Sequence, residues 1–196
     1  ITVAEMKGVL PGAERLRADP GPRAGLVVLD SAGQEIGYAV RTMPDSRKVV
    51  GYSGPTDVLV IFDSADKVLG VTIRHSYDTP SHVEDVARDF LFMEKWNGRL
   101  WDEIAAITDL HEAGIYGVSG ATRTSEAVAL SITHRLDLAA GGQGMKPAFS
   151  FNWRDGVLIG FVVLGSLFAF WKATVFQRWR WLFSVATILV LGLWMG

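Results

Sequence analysis

Residues 27–40, VVLDSAGQEIGYAV, and residues 60–73, VIFDSADKVLGVTI, align without a gap. Each reads as a short apolar run, a polar Asp-Ser-Ala turn and a second run rich in aliphatic residues. That is the pattern of a β-hairpin. Leu26–Leu29 and Ile36–Val40 form the first pair of strands, Val58–Phe62 and Val68–Ile73 the second. The identical positions are one valine, the turn triplet and one glycine. Any two hairpins with polar turns share such features, so the likeness need not mark a repeat. Either way, two hairpins close in sequence predict an antiparallel sheet.

Before the first hairpin, residues 1–25 form a polar lead-in. Met6–Leu16 is expected to be a short helix interrupted at Pro11-Gly12, and Asp19-Pro20-Gly21-Pro22 a turn-rich linker. Between the hairpins lies Gly51-Tyr52-Ser53-Gly54-Pro55. Its glycines and proline break the strand pattern and admit a backbone or ligand at close range. After the second hairpin comes Asp78-Thr79-Pro80-Ser81-His82. Pro80 makes Thr79 extended. Ser81 and Glu84 have capping-box spacing, which predicts a helix from there to about Trp96, ended by Asn97-Gly98. Leu100–Leu110 reads as a further amphipathic helix. Trp96 and Trp101 are expected in the core.

Gly117-Val118-Ser119-Gly120-Ala121-Thr122-Arg123-Thr124-Ser125 is a small-residue turn running into a helix. The helix is signalled by Val128, Ile132 and Leu136 at helical spacing. Ser119, Gly120 and Ala121 leave the backbone open to close approach. Thr122, Thr124 and Ser125 set three hydroxyls beside it. Capping is the ordinary use of such hydroxyls. The unsatisfied N–H groups of a helix start also attract an anion such as a phosphate.

Three blocks, in order, resemble the FMN-binding domain family: Gly51–Pro55, Asp78-Thr79-Pro80, and Ser119-Gly120-Ala121-Thr122 followed by Thr124-Ser125. That family includes the flavin subunits of the Rnf and Na⁺-pumping NADH:quinone reductase complexes and the NosR-type membrane flavoproteins. The resemblance covers about residues 35–140. It implies an α+β fold in which helices flank an antiparallel sheet, with FMN as cofactor. It also implies covalent attachment of FMN to Thr122 through a phosphoester made by a separate flavin transferase. Ser119, Gly120, Ala121, Thr124, Ser125, Asp78, Thr79, Pro80 and Tyr52 are the further residues it places at the cofactor. Two departures stand out. Ser81-His82 replaces the glycine-rich end of the second block, and Tyr116 stands where the family's attachment sequence carries an aspartate.

Composition narrows the chemistry. Nineteen Lys and Arg against 21 Asp and Glu give a net charge of −2, so nothing points to nucleic acid. There are no cysteines, which excludes thiolate-ligated clusters within the chain. The four histidines are scattered without metal-ligand spacing, so no metal site is expected. No dinucleotide fingerprint is present.

Domain organisation follows from where the polarity changes. The lead-in covers 1–25, the FMN-binding domain 26–140 and a glycine-rich linker 141–154. Two transmembrane helices are expected in 155–196. Val157–Phe176 is a twenty-residue apolar run interrupted by Lys172. At 1.5 Å per residue it spans the ~30 Å hydrocarbon core. Trp181–Met195 is shorter and is expected to be cut at its C-terminal end. Lys172, Arg178 and Arg180 place the connecting loop in the cytoplasm. The domain then lies on the extracytoplasmic side of the cell inner membrane, periplasmic in a Gram-negative cell. A start at Ile1 fits a mature chain whose export signal has been removed. The expected role is a membrane-anchored electron carrier rather than a stand-alone catalyst. Its partner is an iron–sulfur or other redox protein, or a ferredoxin module C-terminal to the helices. A flavin-based redox sensor signalling across the membrane is the alternative.

Overall fold

A computed structural model describes residues 1–142. The two predicted membrane runs and most of the linker lie outside the described residues. Among the described residues, no helix is long and apolar enough to cross a membrane.

Five strands make one antiparallel sheet: β1 Arg15–Ala18, β2 Leu26–Leu29, β3 Glu35–Arg41, β4 Thr56–Asp63 and β5 Val68–Ser76. Each strand pairs with its sequence neighbour, in the order β1-β2-β3-β4-β5. The expected hairpins are therefore present, and the lead-in supplies an edge strand. In place of a helix at Met6–Leu16 there is a short α1, Val3–Lys7, followed by β1. Thr2 and Glu5 form a capping box on α1. The start of β5 is covered by the segment around Leu100, where Val68 N–H donates to Arg99 O at 2.9 Å. That contact shields one end of an exposed sheet edge.

The two hairpins share the same turn. Asp30 N–H donates to Gln34 O at 3.0 Å, and Asp63 N–H donates to Lys67 O at 2.8 Å. Asp30 Oδ1 accepts from Gln34 N–H, and Asp63 Oδ1 from Ala65 and Lys67 N–H. The residue ending each turn is left-handed, Gly33 at φ 84° and Asp66 at φ 60°. Aspartate is unfavourable there compared with glycine. Its carboxylate, however, holds Arg23 at 2.6 and 2.9 Å, and that guanidinium lies 4.6 Å from the Trp101 ring centre.

β4 is buried on both faces, as its unbroken apolar run implies. Val58, Val60 and Phe62 face the larger core, with Trp96, Trp101, Ile104 and the helix α5, Thr122–Ala139. Leu59 and Ile61 face a smaller core with Met6, Ala13 and Val28. Each such side chain contributes about 1.5–3 kcal/mol by leaving water. α5 lays Val128, Ile132 and Leu136, all fully buried, across the larger core. Arg135 lies on the same helix and is 4% exposed. It donates to the carbonyls of Arg41, Arg23 and Ala24 and pairs with Asp45 at 3.1 Å, tying the helix to the loops at one end of the sheet. The helix stops at Gly141, at φ 83°, with Gly142 N–H donating back to Asp137 O.

The helical region after β5 differs from expectation. α2 is Pro80–Arg88, and its N-cap is Thr79 rather than Ser81. Glu84 pairs with Arg88 one turn on instead of closing a capping box. The helix breaks at Asp89, whose carboxylate accepts from Phe92 N–H at 2.8 Å and so starts α3, Phe90–Met93. A short aspartate side chain competing for backbone donors is an ordinary helix breaker. A 3₁₀ turn, Glu94–Trp96, follows. The predicted Leu100–Leu110 helix is only α4, Trp101–Ala105. Asp109 turns the chain beyond it by accepting from His111 and Glu112 N–H. Trp96 and Trp101 are in the core, 0% and 2% exposed.

Candidate functional site

The three sequence blocks meet at one carboxylate. Asp78 follows β5 and is 6% exposed. Its Oδ2 accepts from Tyr52 N–H at 2.9 Å and from Thr124 Oγ1 at 2.8 Å. Its Oδ1 accepts from Ser53 N–H at 2.6 Å and Thr79 N–H at 2.7 Å. One side chain therefore holds the 51–54 loop, the start of α2 and the first turn of α5. Burial opposes its ionisation, but the Thr124 hydroxyl and the three backbone donors outweigh that. The carboxyl is held below the ordinary aspartate range. A second link runs alongside it, with Ser53 Oγ and Thr79 Oγ1 2.8 Å apart. This is why Thr79 makes no side-chain cap on α2. Pro80 opens that helix, where its missing N–H costs nothing.

Glycine is required where the loops close. A Cβ on Gly51 would sit 2.0 Å from Asp78 Oδ2 and 3.2 Å from Thr124 Cα. One on Gly54 would sit 2.4 Å from Tyr77 O. Gly51→Ala is accordingly expected to lower stability by about 1–3 kcal/mol, the usual range for overpacking. A thermal melt checks this. A shift of several degrees downward is expected, and an unchanged midpoint would mean the loop and α5 are not in contact.

The start of α5 divides its residues into two sets. Ser119, Gly120, Thr122 and Arg123 are exposed, while Ala121, Thr124 and Ser125 are buried. No side chain caps the helix, whose N-cap is Ala121. Thr122 Oγ1 donates to Val118 O at 3.2 Å, and Thr124 Oγ1 is committed to Asp78. Ser125 Oγ accepts from Val118 N–H at 2.8 Å and contacts the carbonyls of Ala121 and Thr122, so it braces the loop from inside. Among the described residues nothing accepts from the backbone N–H of Thr122, Arg123 or Thr124. Gly120 has φ 81° and open space where a Cβ would stand. An exposed hydroxyl, a cleared approach and free N–H groups at a helix start suit a phosphate ester. The exposed Arg123 adds a cation to the same turn.

Residues 51–137 match the model of the FMN-binding domain family. This segment is an FMN-binding domain. Its match opens at Gly51, closes within α5, and so encloses all three blocks tied by Asp78. FMN is the cofactor of this domain. No curated protein matches the chain. Of the Gly51–Pro55 block, the sequence flagged the glycines as points of close approach and placed Tyr52 at the cofactor, but did not show that Ser53 is tied to Asp78 and Thr79. The role of Ser53 depends on Asp78 lying opposite, 25 positions away. Among the described residues, no group of acidic or histidine side chains is placed to hold a metal ion.

Proposed function

We propose that this protein is a membrane-anchored electron carrier whose FMN is attached through a phosphoester to Thr122. The single observation carrying this reading is the contrast between two threonines in one helical turn. Thr122 is exposed, and its hydroxyl bonds only to a carbonyl, whereas the Thr124 hydroxyl is buried on a carboxylate. Thr122 is therefore the threonine that a transferase can reach. The N–H groups of the first turn of α5 and Arg123 hold the phosphate, and Asp78 keeps the adjoining loops in place. FMN itself supplies the chemistry, since its ring takes up electrons singly or in pairs. The buried carboxylate at the centre of the site, Asp78, is spent on four hydrogen bonds that hold the loops, which favours a carrier over a stand-alone catalyst.

The apolar runs 157–176 and 181–195 support an anchor in the cell inner membrane with the domain on the extracytoplasmic side. Electrons then pass between a membrane redox partner, such as an iron–sulfur protein or a C-terminal ferredoxin module, and an extracytoplasmic acceptor. A covalent link suits that compartment because it prevents loss of the cofactor.

The test is intact mass with in-gel flavin fluorescence, after co-expression with a flavin transferase and export. A mass increase equal to FMN, mapped to the peptide containing Thr122, is the expected result. A yellow native protein with no added mass would overturn covalent attachment, and a colourless one would overturn the carrier.

A further inference from the structure

We propose that α5 and residues 45–50 form a membrane-contact face, which lays the domain on a bilayer rich in anionic lipid. The proposal rests on the membrane-anchored reading above and goes on to the surface by which the domain meets the lipid.

Residues 45–51 run alongside α5 in the opposite direction. Asp45 is paired with Arg135 at 3.1 Å, and the backbone of Gly51 packs against that of Thr124. Between these ties Ser46 and Val49 are buried, whereas Arg47, Lys48 and Val50 are exposed, Val50 by 55%. α5 itself is buried along most of its length. Beyond its first turn, its exposed side chains are Leu130 and Leu138, with the half-buried His134 between them. Helical spacing puts Arg123, Leu130 and Leu138 on one stripe.

Charge decides what covers this surface. Among the described residues, no ion pair involves Arg47 or Lys48. The carboxylate of Asp45 is taken up by Arg135, and that of Asp137 is tucked against Gly142 at the end of the helix. Glu126 is half-buried, one turn before Leu130. Two unpaired cations beside three aliphatic side chains suit an anionic bilayer. The cations meet the headgroups, and the aliphatic groups enter the acyl boundary. Phe90 and Leu91 are more exposed, at 66% and 78%, but they lie between Asp89 and Glu94, which an anionic surface repels. They serve as the comparison.

The tether makes a small patch sufficient. Fourteen residues separate Gly142 from the apolar run that opens at Val157. Such a length spans at most about 50 Å. The bilayer is then always close, and a weak contact is occupied through its high local concentration. Because Arg123 shares the stripe with Leu130, a domain lying on this face brings the attachment turn to the membrane surface.

The experiment uses the full chain in nanodiscs. The chain has no cysteine, so a fluorophore can be placed at one introduced thiol. Leu130→Cys puts it on the face, Leu91→Cys on the comparison patch and Ser64→Cys on the turn between β4 and β5. Lipids carrying a nitroxide on the headgroup quench a label that lies at the surface. In phosphatidylglycerol nanodiscs, the label at position 130 is expected to be quenched several-fold more than either of the others. Phosphatidylcholine nanodiscs should remove most of that difference. So should Arg47→Glu with Lys48→Glu, at an unchanged melting temperature. Equal quenching at the three positions, stronger quenching at position 91, or no response to charge reversal would overturn the face. Flotation with phosphatidylcholine vesicles after a high-salt wash checks the anchor separately. A chain that floats but shows no preferred label overturns the face alone. A chain that does not float overturns the anchored reading, and the face with it.

Discussion

Thr122→Val is expected to carry no flavin through denaturing electrophoresis while keeping its fold. Valine matches threonine in shape and is likewise branched at Cβ, so the helix start is not crowded. The change removes one hydroxyl, whose bond to Val118 O at 3.2 Å is long. Losing a single neutral hydrogen bond costs about 0.5–1.5 kcal/mol. The phosphoester, by contrast, cannot form without the oxygen, so the loss of covalent flavin is complete. Thr124→Val should show the opposite profile. Its hydroxyl is buried on an ionised carboxylate, and removing it is expected to cost about 1.5–3 kcal/mol. The covalent flavin should remain. Mass spectrometry and a melting curve on the two variants separate attachment from support. A flavin band in Thr122→Val would place the attachment elsewhere.

Asp78→Asn carries the largest expected loss of stability. The native carboxylate accepts four hydrogen bonds and donates none. Asparagine has the same outline but only one accepting oxygen. Its amide nitrogen must then face either Tyr52 N–H and Thr124 Oγ1, where the hydroxyl can turn to accept but the N–H cannot, or the N–H groups of Ser53 and Thr79, where both meet donor against donor. At least one backbone donor loses its acceptor whichever way the amide turns, and every bond that remains loses its charge assistance. The expected cost is about 2–4 kcal/mol, below the sum of separate bonds because the loops relax together. Denaturant titration at neutral pH measures it, and a change under about 0.5 kcal/mol, the size of an ordinary surface substitution, would remove Asp78 from the centre of the site.

The same carboxylate gives the variant a signature in acid. The pKa of Asp78 is lowered in the folded protein, so its stabilisation is complete above the unfolded value near 3.9 and is lost as pH falls through the folded one. Glu5 behaves alike. Its hydrogen bond from Arg74, with help from Thr2 and against some burial, lowers it to about 2. Acid should therefore weaken both the site and the hold of α1 on β5. Asp78→Asn should flatten that acid dependence, and only the part due to Glu5 and other carboxylates should remain. An equally steep decline in the variant would assign the acid sensitivity elsewhere.

The sheet was legible because its signal is local. Apolar strands and Asp-Ser-Ala turns lie within fourteen-residue windows, and both hairpins follow them. The edge strand β1 was not, since Arg15–Ala18 has no alternation to announce it and pairs only because β2 offers a free edge. The helix over Ser81–Trp96 failed at Asp89 for a similar reason. The apolar face continues through the break, and only the aspartate side chain turning back to Phe92 N–H ends it. At the site, the sequence pointed to the exposed elements, Thr122 and the small residues before it. The resemblance singled out Thr122 for attachment, but nothing local showed that the Thr124 hydroxyl is buried on a carboxylate. That carboxylate belongs to Asp78, 46 positions away from Thr124.

The neighbour-to-neighbour sheet also sets an order of events. All five strands, and Asp78 after them, are synthesised before the attachment loop. Each hairpin closes a short loop, which is quick, whereas seating α5 joins segments far apart in the chain. The 51–54 loop and Asp78 can meet while Thr124 is still to come, but the site is complete only after α5 has docked. On the proposed reading, a chain exported unfolded would present the transferase with no finished site. Loading would then follow the docking of α5, and the proposed cofactor would mark chains that have finished folding.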